Sequence, residues 1–242
     1  MSRTHNFLRG RRGAQMTSDE RTALEACLGP SQSFDARQLI VKADTPVSNS
    51  ILLLDGLMCR YMDDRKGHRQ LVALHLPGDF VDLHGFPLQR LDHDVASLTE
   101  VSVAFAPHTK LTEITQDYPH LTRMLWFSTL LDAAMYREWI FRLGRLNALG
   151  RVAHFLAETH CRLVATGLSH GQRFRLPLTQ ADIGEACGLT NIHVSRMLKE
   201  LRDQGIASME EQTVEFLDRD RLYRIAEFDP KYLYLDDGIL VP

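Results

Sequence analysis

Residues 178–205 read LTQADIGEACGLTNIHVSRMLKELRDQG, a stretch that suits two short helices packed steeply across a glycine turn. Thr179 is placed to cap the first helix, with Asp182 three residues on to return the contact. Ile183 and Ala186 form its inward face, and Gly184 stands where the two helices must cross closely. Gly188 can take the positive-φ conformation that ends a helix, and Thr190 can cap the next one. In that second helix Val194, Met197, Leu198 and Leu201 alternate with Ile192, His193, Ser195, Arg196 and Lys199, giving one buried and one presented face. A small residue at the crossing, a turn glycine and two caps in one register favour a helix-turn-helix over a merely structural helix pair. The second helix of such a motif enters the DNA major groove.

The residues after it extend the motif. Ile206–Met209, an acidic turn at Glu210–Gln212 and Thr213–Leu217 read as a β-hairpin, and a hairpin there is a wing. A net charge of −3 is low for a DNA binder, but local charge decides docking. Arg173, Arg175, Arg196, Lys199 and Arg202 lie in or beside the motif. Weak non-specific binding and a steep loss of affinity with salt are expected.

The 242 residues imply two domains, each with enough core to stand without staples. No apolar run approaches the roughly 20 residues of a membrane span, and the Arg-rich opening lacks a secretory signal's apolar stretch, so a cytoplasmic location is expected. Cys27, Cys59, Cys161 and Cys187 show no metal-ligand spacing and are expected to be buried, reduced thiols. Residues 1–18, with Arg3, Arg9, Arg11 and Arg12, read as a flexible basic arm.

Upstream, Gln38–Val41, Ser50–Leu54, Leu57–Met62, Arg69–Leu74, Val95–Leu98 and Val101–Phe105 are short branched-residue strands. Asp55-Gly56, the polar tip Asp63–Gly67 and Pro77-Gly78-Asp79 supply turns, so residues 19–118 predict a small antiparallel barrel or jelly roll, a pocket-forming architecture. Leu121–Arg145 is a proline-free helix apolar almost all round, which must be buried on more than one side. One face would cover the barrel. A seam of Trp126, Thr129, Ala133, Tyr136 and Ile140 would meet its copy in a second subunit, making residues 119–146 a dimerisation helix and hinge. Asn147 then caps a helix to about Thr166 and opens a DNA-binding domain spanning 147–228. Residues 229–242, including the apolar Pro230–Leu235, form a C-terminal extension expected to pack on the wing or barrel, or in the groove between domains.

This α+β order of barrel, long helix, hinge and winged helix-turn-helix resembles the cyclic-AMP receptor protein and fumarate-nitrate regulator (Crp/Fnr) family of transcription regulators, over roughly residues 30–220. Asp55-Gly56, Leu76–Phe80, Leu149–Ala153 and the helix-turn-helix carry the resemblance. It implies a cytoplasmic homodimer on a palindromic operator that contacts RNA polymerase and responds to an effector through the barrel.

The departures bear on what is sensed. Cyclic-nucleotide binders of the family hold the ribose with Gly-Glu-Leu and the phosphate with Arg-Ser. This chain has Asp82-Leu83-His84 at the first place and Leu91-Asp92 at the second, with Arg90 adjacent. An aspartate does not replace an arginine that meets a phosphate. The effector region is therefore assigned to Asp82, Leu83, His84, Arg90 and Asp92, with cyclic AMP disfavoured and the effector unknown. An iron-sulfur cluster would need several cysteines near the N-terminus, where only Cys27 lies. No cofactor, metal or catalytic residue is expected. Cys187 beside the turn is read as core, with a redox switch as the alternative.

On the DNA face, Ser195-Arg196 matches the family while Ile192 stands where it commonly has Glu. The resemblance implies that Arg196 bonds a guanine edge, that Ile192 touches a thymine methyl, and that Asn191, His193 and Lys199 reach neighbouring bases or phosphates. Thr179 and Gln180 suit a phosphate. Two alternatives remain: a cyclic-nucleotide receptor with an unusual pocket, and a metal-dependent barrel enzyme drawing on His75, His84, His93 and His108 with Asp82, Asp92 and Asp94.

Overall fold

A computed structural model describes residues 2–239. The chain forms two compact units: residues up to Met62 with Ala73–Ala133, and Asp63–Val72 with residues from Ala134 onward. The division differs from the expected one at two places. The long helix is shared between the units instead of belonging to a separate segment. The hairpin tip 63–72 joins the second unit, where the Gln70 side-chain amide donates to the Glu185 carbonyl.

The first unit opens with helix α1 (Ser18–Cys27), whose capping box joins Thr17 and Glu20. Strands β1 (Ser31–Phe34), β2 (Leu39–Val41), β3 (Asn49–Asp55), β4 (Met58–Asp63) and β5 (Arg69–His75) follow. A one-turn helix α2 (Gly85–Leu88) precedes β6 (Asp94–Ser97) and β7 (Val101–Pro107). The strands form two sheets, ordered β1-β7-β3 and β2-β6-β4-β5, the two-sheet arrangement of a jelly roll. Ile51 and Leu53 of β3 and Val101 and Val103 of β7 meet Met58 of β4 and Val95 of β6 in a dry core, so the alternate residues of both sheets supply it. The opposite face of the first sheet, through Leu52, Ala104 and Ala106, packs against α1, helix α3 (His108–Asp117) and the first turns of helix α4 (Pro119–Arg145).

The opening segment is not a loose arm. Phe7 and Leu8 are buried in that second layer, and Phe7 meets the Phe80 ring edge-on at 5.5 Å. Glu25 accepts from Arg3 Nε at 2.7 Å, from the Ser2 hydroxyl at 2.7 Å and from the Thr4 backbone at 3.1 Å. These donors overcome the upward push of burial and hold the Glu25 carboxyl down at about 2. Two apolar side chains and one anchoring carboxylate outweigh the polar composition that suggested solvation.

The second unit takes the last turns of α4, then α5 (Ala148–Thr166), capped by Asn147, whose side chain accepts from the Gly150 N–H. Strand β8 (Arg173–Arg175), helices α6 (Gln180–Cys187) and α7 (Asn191–Asp203), and strands β9 (Ala207–Glu210) and β10 (Thr213–Phe216) complete the motif, with the wing sheet ordered β8-β10-β9. Helix α8 (Arg219–Ile225) and a 3-10 turn at Pro230–Leu233 close the described chain. The extension packs on α5 of its own unit, with Leu233 fully buried. Its last three residues, 240–242, lie outside the described residues.

Candidate nucleic-acid interface and barrel interior

The helix pair is built as its residues dictate. Thr179 Oγ1 accepts from the Asp182 N–H at 3.2 Å while Asp182 Oδ2 accepts from the Thr179 N–H at 2.7 Å, a closed capping box. Gly188 ends α6 at φ +63°, and Thr190 caps α7 by accepting from the His193 N–H at 3.3 Å. A Cβ on Gly184 would stand 2.6 Å from the Leu189 carbonyl oxygen, so only glycine admits this turn without a backbone shift. Val194, Leu198 and Leu201 are buried, and Ile183 and Ala186 face them from α6.

The other face of α7 is open. Asn191, Ile192, His193, Ser195, Arg196 and Lys199 are all exposed, and Ile192 keeps 71% of its surface, a large apolar side chain left in water at the first turn. His193 Nδ1 and Thr190 Oγ1 share a hydrogen bond of 3.0 Å, which fixes the ring beside the cap. Arg173 and Arg175 project from the two exposed positions of β8. Two expected contributors are spent internally. The Thr179 hydroxyl donates to Asp182 Oδ2 at 2.7 Å, and Gln180 is exposed beside it. Arg202 Nη1 lies 3.8 Å from Glu210 Oε1 and ties α7 to the wing. Cys187 is fully buried, and burial pushes its thiol up to about 11, so it sits in the core rather than at an oxidisable surface.

On α4, Trp126 and Ile140 keep 63% and 71% of their surface, and Thr129, Ala133 and Tyr136 between them are half-buried. Leu130 and Phe141 are exposed beside them and were not singled out in the sequence. Trp126, Leu130, Ile140 and Phe141 thus leave large apolar side chains exposed along α4.

Of the five residues assigned to an effector, Asp82 and Leu83 are buried, His84 is half-buried, and Arg90 and Asp92 are exposed. Asp82 is buried, with Oδ1 accepting from the Ile51 N–H at 2.6 Å, and Leu83 is part of the helix-facing core. The His84 ring lies 5.2 Å from that of His93. Arg90 and Asp92 point outward, Arg90 to 3.9 Å from Asp44 and Asp92 to 2.7 Å from His93 Nδ1.

What the barrel does enclose is a charge the sequence reading missed. Arg60 of β4 is buried; its Nε donates to the Val81 carbonyl and its Nη2 to Asp132 Oδ2 at 2.8 Å on α4. Around it, burial and then the Arg60 charge push His75 and His93 down and His84 down to about 3, while burial pushes Asp82 up to about 7. A lone arginine between Cys59 and Tyr61 in an apolar strand was the available signal, but its partner lies far along the chain. Among the described residues no three His, Cys, Asp or Glu side chains converge as a metal-ligand set. Nor is any helix among the described residues long and apolar enough to cross a membrane.

Comparison with known proteins agrees with both halves. The family described as cyclic nucleotide-binding domain matches residues 31–118, and the Crp-like helix-turn-helix domain matches residues 150–225. Transcriptional activator protein FnrL of Cereibacter sphaeroides is 32% identical over 202 residues, covering 81% of this chain and 79% of its own. Nitrogen fixation regulation protein FixK of Azorhizobium caulinodans is 29% identical, over 83% and 80% of the two chains. The solved structure of FixK2 from Bradyrhizobium japonicum superposes with a TM-score of 0.74 at 27% identity, covering 81% of this chain and 96% of that one. With a cyclic-nucleotide-binding-type sheet domain, a long helix and a helix-turn-helix that presents a polar, basic face, the chain belongs to the Crp/Fnr family of DNA-binding transcription regulators.

Proposed function

We propose that the protein is a homodimeric, cytoplasmic regulator that reads a palindromic operator and does not respond to cyclic AMP. The observation that carries the DNA reading is the exposed row on α7 opposite its buried Val194-Leu198-Leu201 stripe. In this reading Arg196 donates to a guanine edge, Ile192 packs on a thymine methyl, and Asn191, His193, Ser195 and Lys199 take flanking bases or phosphates. Gln180 and the first N–H groups of α6 meet a phosphate, with Thr179 acting through its cap. The exposed apolar side chains Trp126, Leu130, Ile140 and Phe141 on α4 support a dimer, which would set two α7 helices about 34 Å apart, one turn of DNA. RNA polymerase is the expected protein partner, by the family's mode of action.

Against cyclic AMP stand the outward Arg90, the acidic Asp92 and the internal pairing of Arg60 with Asp132, which leaves the expected loop with no arginine turned inward to a phosphate. The effector, if one binds, has a different chemistry. Selection of bound duplexes from a random pool at a stated salt concentration, with and without cyclic AMP, tests this. The expected result is one palindrome with half-sites a helical turn apart, enriched equally in both conditions. Enrichment only with the nucleotide would favour the receptor reading, and absence of any enriched sequence would refute operator recognition.

A further inference from the structure

The segment after Phe228 lies beyond the matched helix-turn-helix region, which ends at residue 225, yet it is docked rather than trailing. Asp229 caps its 3-10 turn, Leu233 is fully buried, and the Tyr232 ring stacks on His154 at 6.2 Å with planes 19° apart. The Tyr232 hydroxyl donates to Glu158 Oε2 at 2.7 Å. Glu158 is a fully enclosed carboxylate on α5, and it also accepts from Trp139 Nε1 of α4 at 2.9 Å. Burial alone would raise its pKa, but the charges of Arg142, Arg162 and His154, with the Tyr232 hydroxyl, hold it below the usual carboxylate range.

Trp139 leads on to the DNA-reading motif. The Arg142 guanidinium lies 4.2 Å over the Trp139 ring and donates to the Ala186 carbonyl at 2.9 Å, at the end of α6. A continuous path thus runs from the tail hydroxyl through Glu158, Trp139 and Arg142 to the turn that sets the angle of α7. All of these residues belong to the second unit.

We infer that the C-terminal segment is a strap and Tyr232 a positioning residue: by clamping Glu158 it fixes the helix-turn-helix on the last turns of α4, and so fixes the operator spacing the protein accepts. The inference rests on the dimeric reading above. Removing the hydroxyl takes one charge-assisted hydrogen bond from a buried carboxylate, a change that corresponds to roughly a tenfold effect.

The test measures affinity of wild type, Tyr232→Phe, Trp139→Phe and the double variant for the selected palindrome and for one lengthened by a base pair between half-sites. Each protein is first shown to be folded at the assay temperature. Wild type should prefer the native spacing. Tyr232→Phe should narrow that preference by roughly tenfold, and the double variant should lose less than the sum of the singles, because both act through Glu158. A variant that merely loses stability would weaken both duplexes alike. An unchanged spacing ratio in Tyr232→Phe, or additive losses in the double variant, would overturn the strap. No spacing preference in wild type would instead refute the dimeric reading, and the strap with it. A chain ending at Phe228, if folded, should show the same narrowing.

Discussion

Replacing Asp132 with alanine should destabilise the barrel unit strongly, although the residue lies on its covering helix. Arg60 is 1% exposed, and the aspartate at 2.8 Å is its carboxylate partner. Breaking a buried pair by removing one member costs about 3–5 kcal/mol, because the remaining charge stays in a poorly solvating environment. Asp132 retains 17% side-chain exposure and Arg60 keeps the Val81 carbonyl, which places the effect at the lower end, about 3 kcal/mol. For a chain of this size each kcal/mol moves the melting temperature by about 2–4 °C, so a fall of roughly 6–12 °C is expected in thermal unfolding followed by circular dichroism. Arg60→Met with Asp132→Leu removes both charges at similar volume and should recover most of the loss. A single variant within about 1 kcal/mol of wild type, or a double variant as unstable as the single, would refute the assignment of a buried, mutually dependent pair.

Other substitutions probe separate parts of the structure. The raised Asp82 pKa, about 7 against an ordinary 3.8, means that the folded state holds a proton the unfolded chain has released, so stability falls as pH rises from about 4 to 7. Asp82→Asn should be near neutral at pH 4. At pH 8 it should gain about 2–3 kcal/mol, from a ceiling of about 4 less the cost of an unpaired amide N–H; equal effects at both pH values in urea unfolding would contradict the burial argument. His75, His84 and His93 act in the opposite sense: their depressed pKa values make the unfolded chain take up protons first, so their own contribution to stability is lost as pH falls below about 6.5 and offsets part of the gain at Asp82. Gly184→Ala pushes a methyl against the Leu189 carbonyl and should cost about 1–3 kcal/mol and weaken operator binding, whereas intact binding would mean the turn relaxes freely. Ile140→Lys places a charge in the exposed α4 stripe and should shift sedimentation from dimer to monomer at micromolar concentration; a dimer unaffected by it would locate the interface elsewhere.

The features legible in the sequence are those with a local cause. Thr179-Asp182, Gly188 and Thr190 announce caps and turn through contacts within four residues, and α6 and α7 follow from them. The long α4 and most barrel strands follow from periodicity. Short or polar elements escaped: Ser31–Phe34 and Arg173–Arg175 become strands only because β7 and β10 pair with them. The packed N-terminal segment depends on Glu25, more than twenty residues away, and Arg60, Glu158 and Arg142 acquire partners through tertiary folding alone. The exposed row on α7 was readable because an amphipathic helix has one buried and one open face. Which side chains of residues 82–92 are buried was not, because a loop has no period to say which of them turn inward.

The central claim, that α7 reads bases, is tested most directly by a cycle between Arg196 and a guanine of the selected operator. Wild type and Arg196→Ala are titrated at fixed salt against the operator and against versions with each base pair of one half-site replaced in turn. One G·C pair should cost wild type about 1–3 kcal/mol on replacement and cost the variant nearly nothing, while penalties at the other positions stay as they were. A uniform loss across all duplexes would reduce Arg196 to a phosphate contact, and an unchanged set of penalties would contradict the placement of α7 in the major groove.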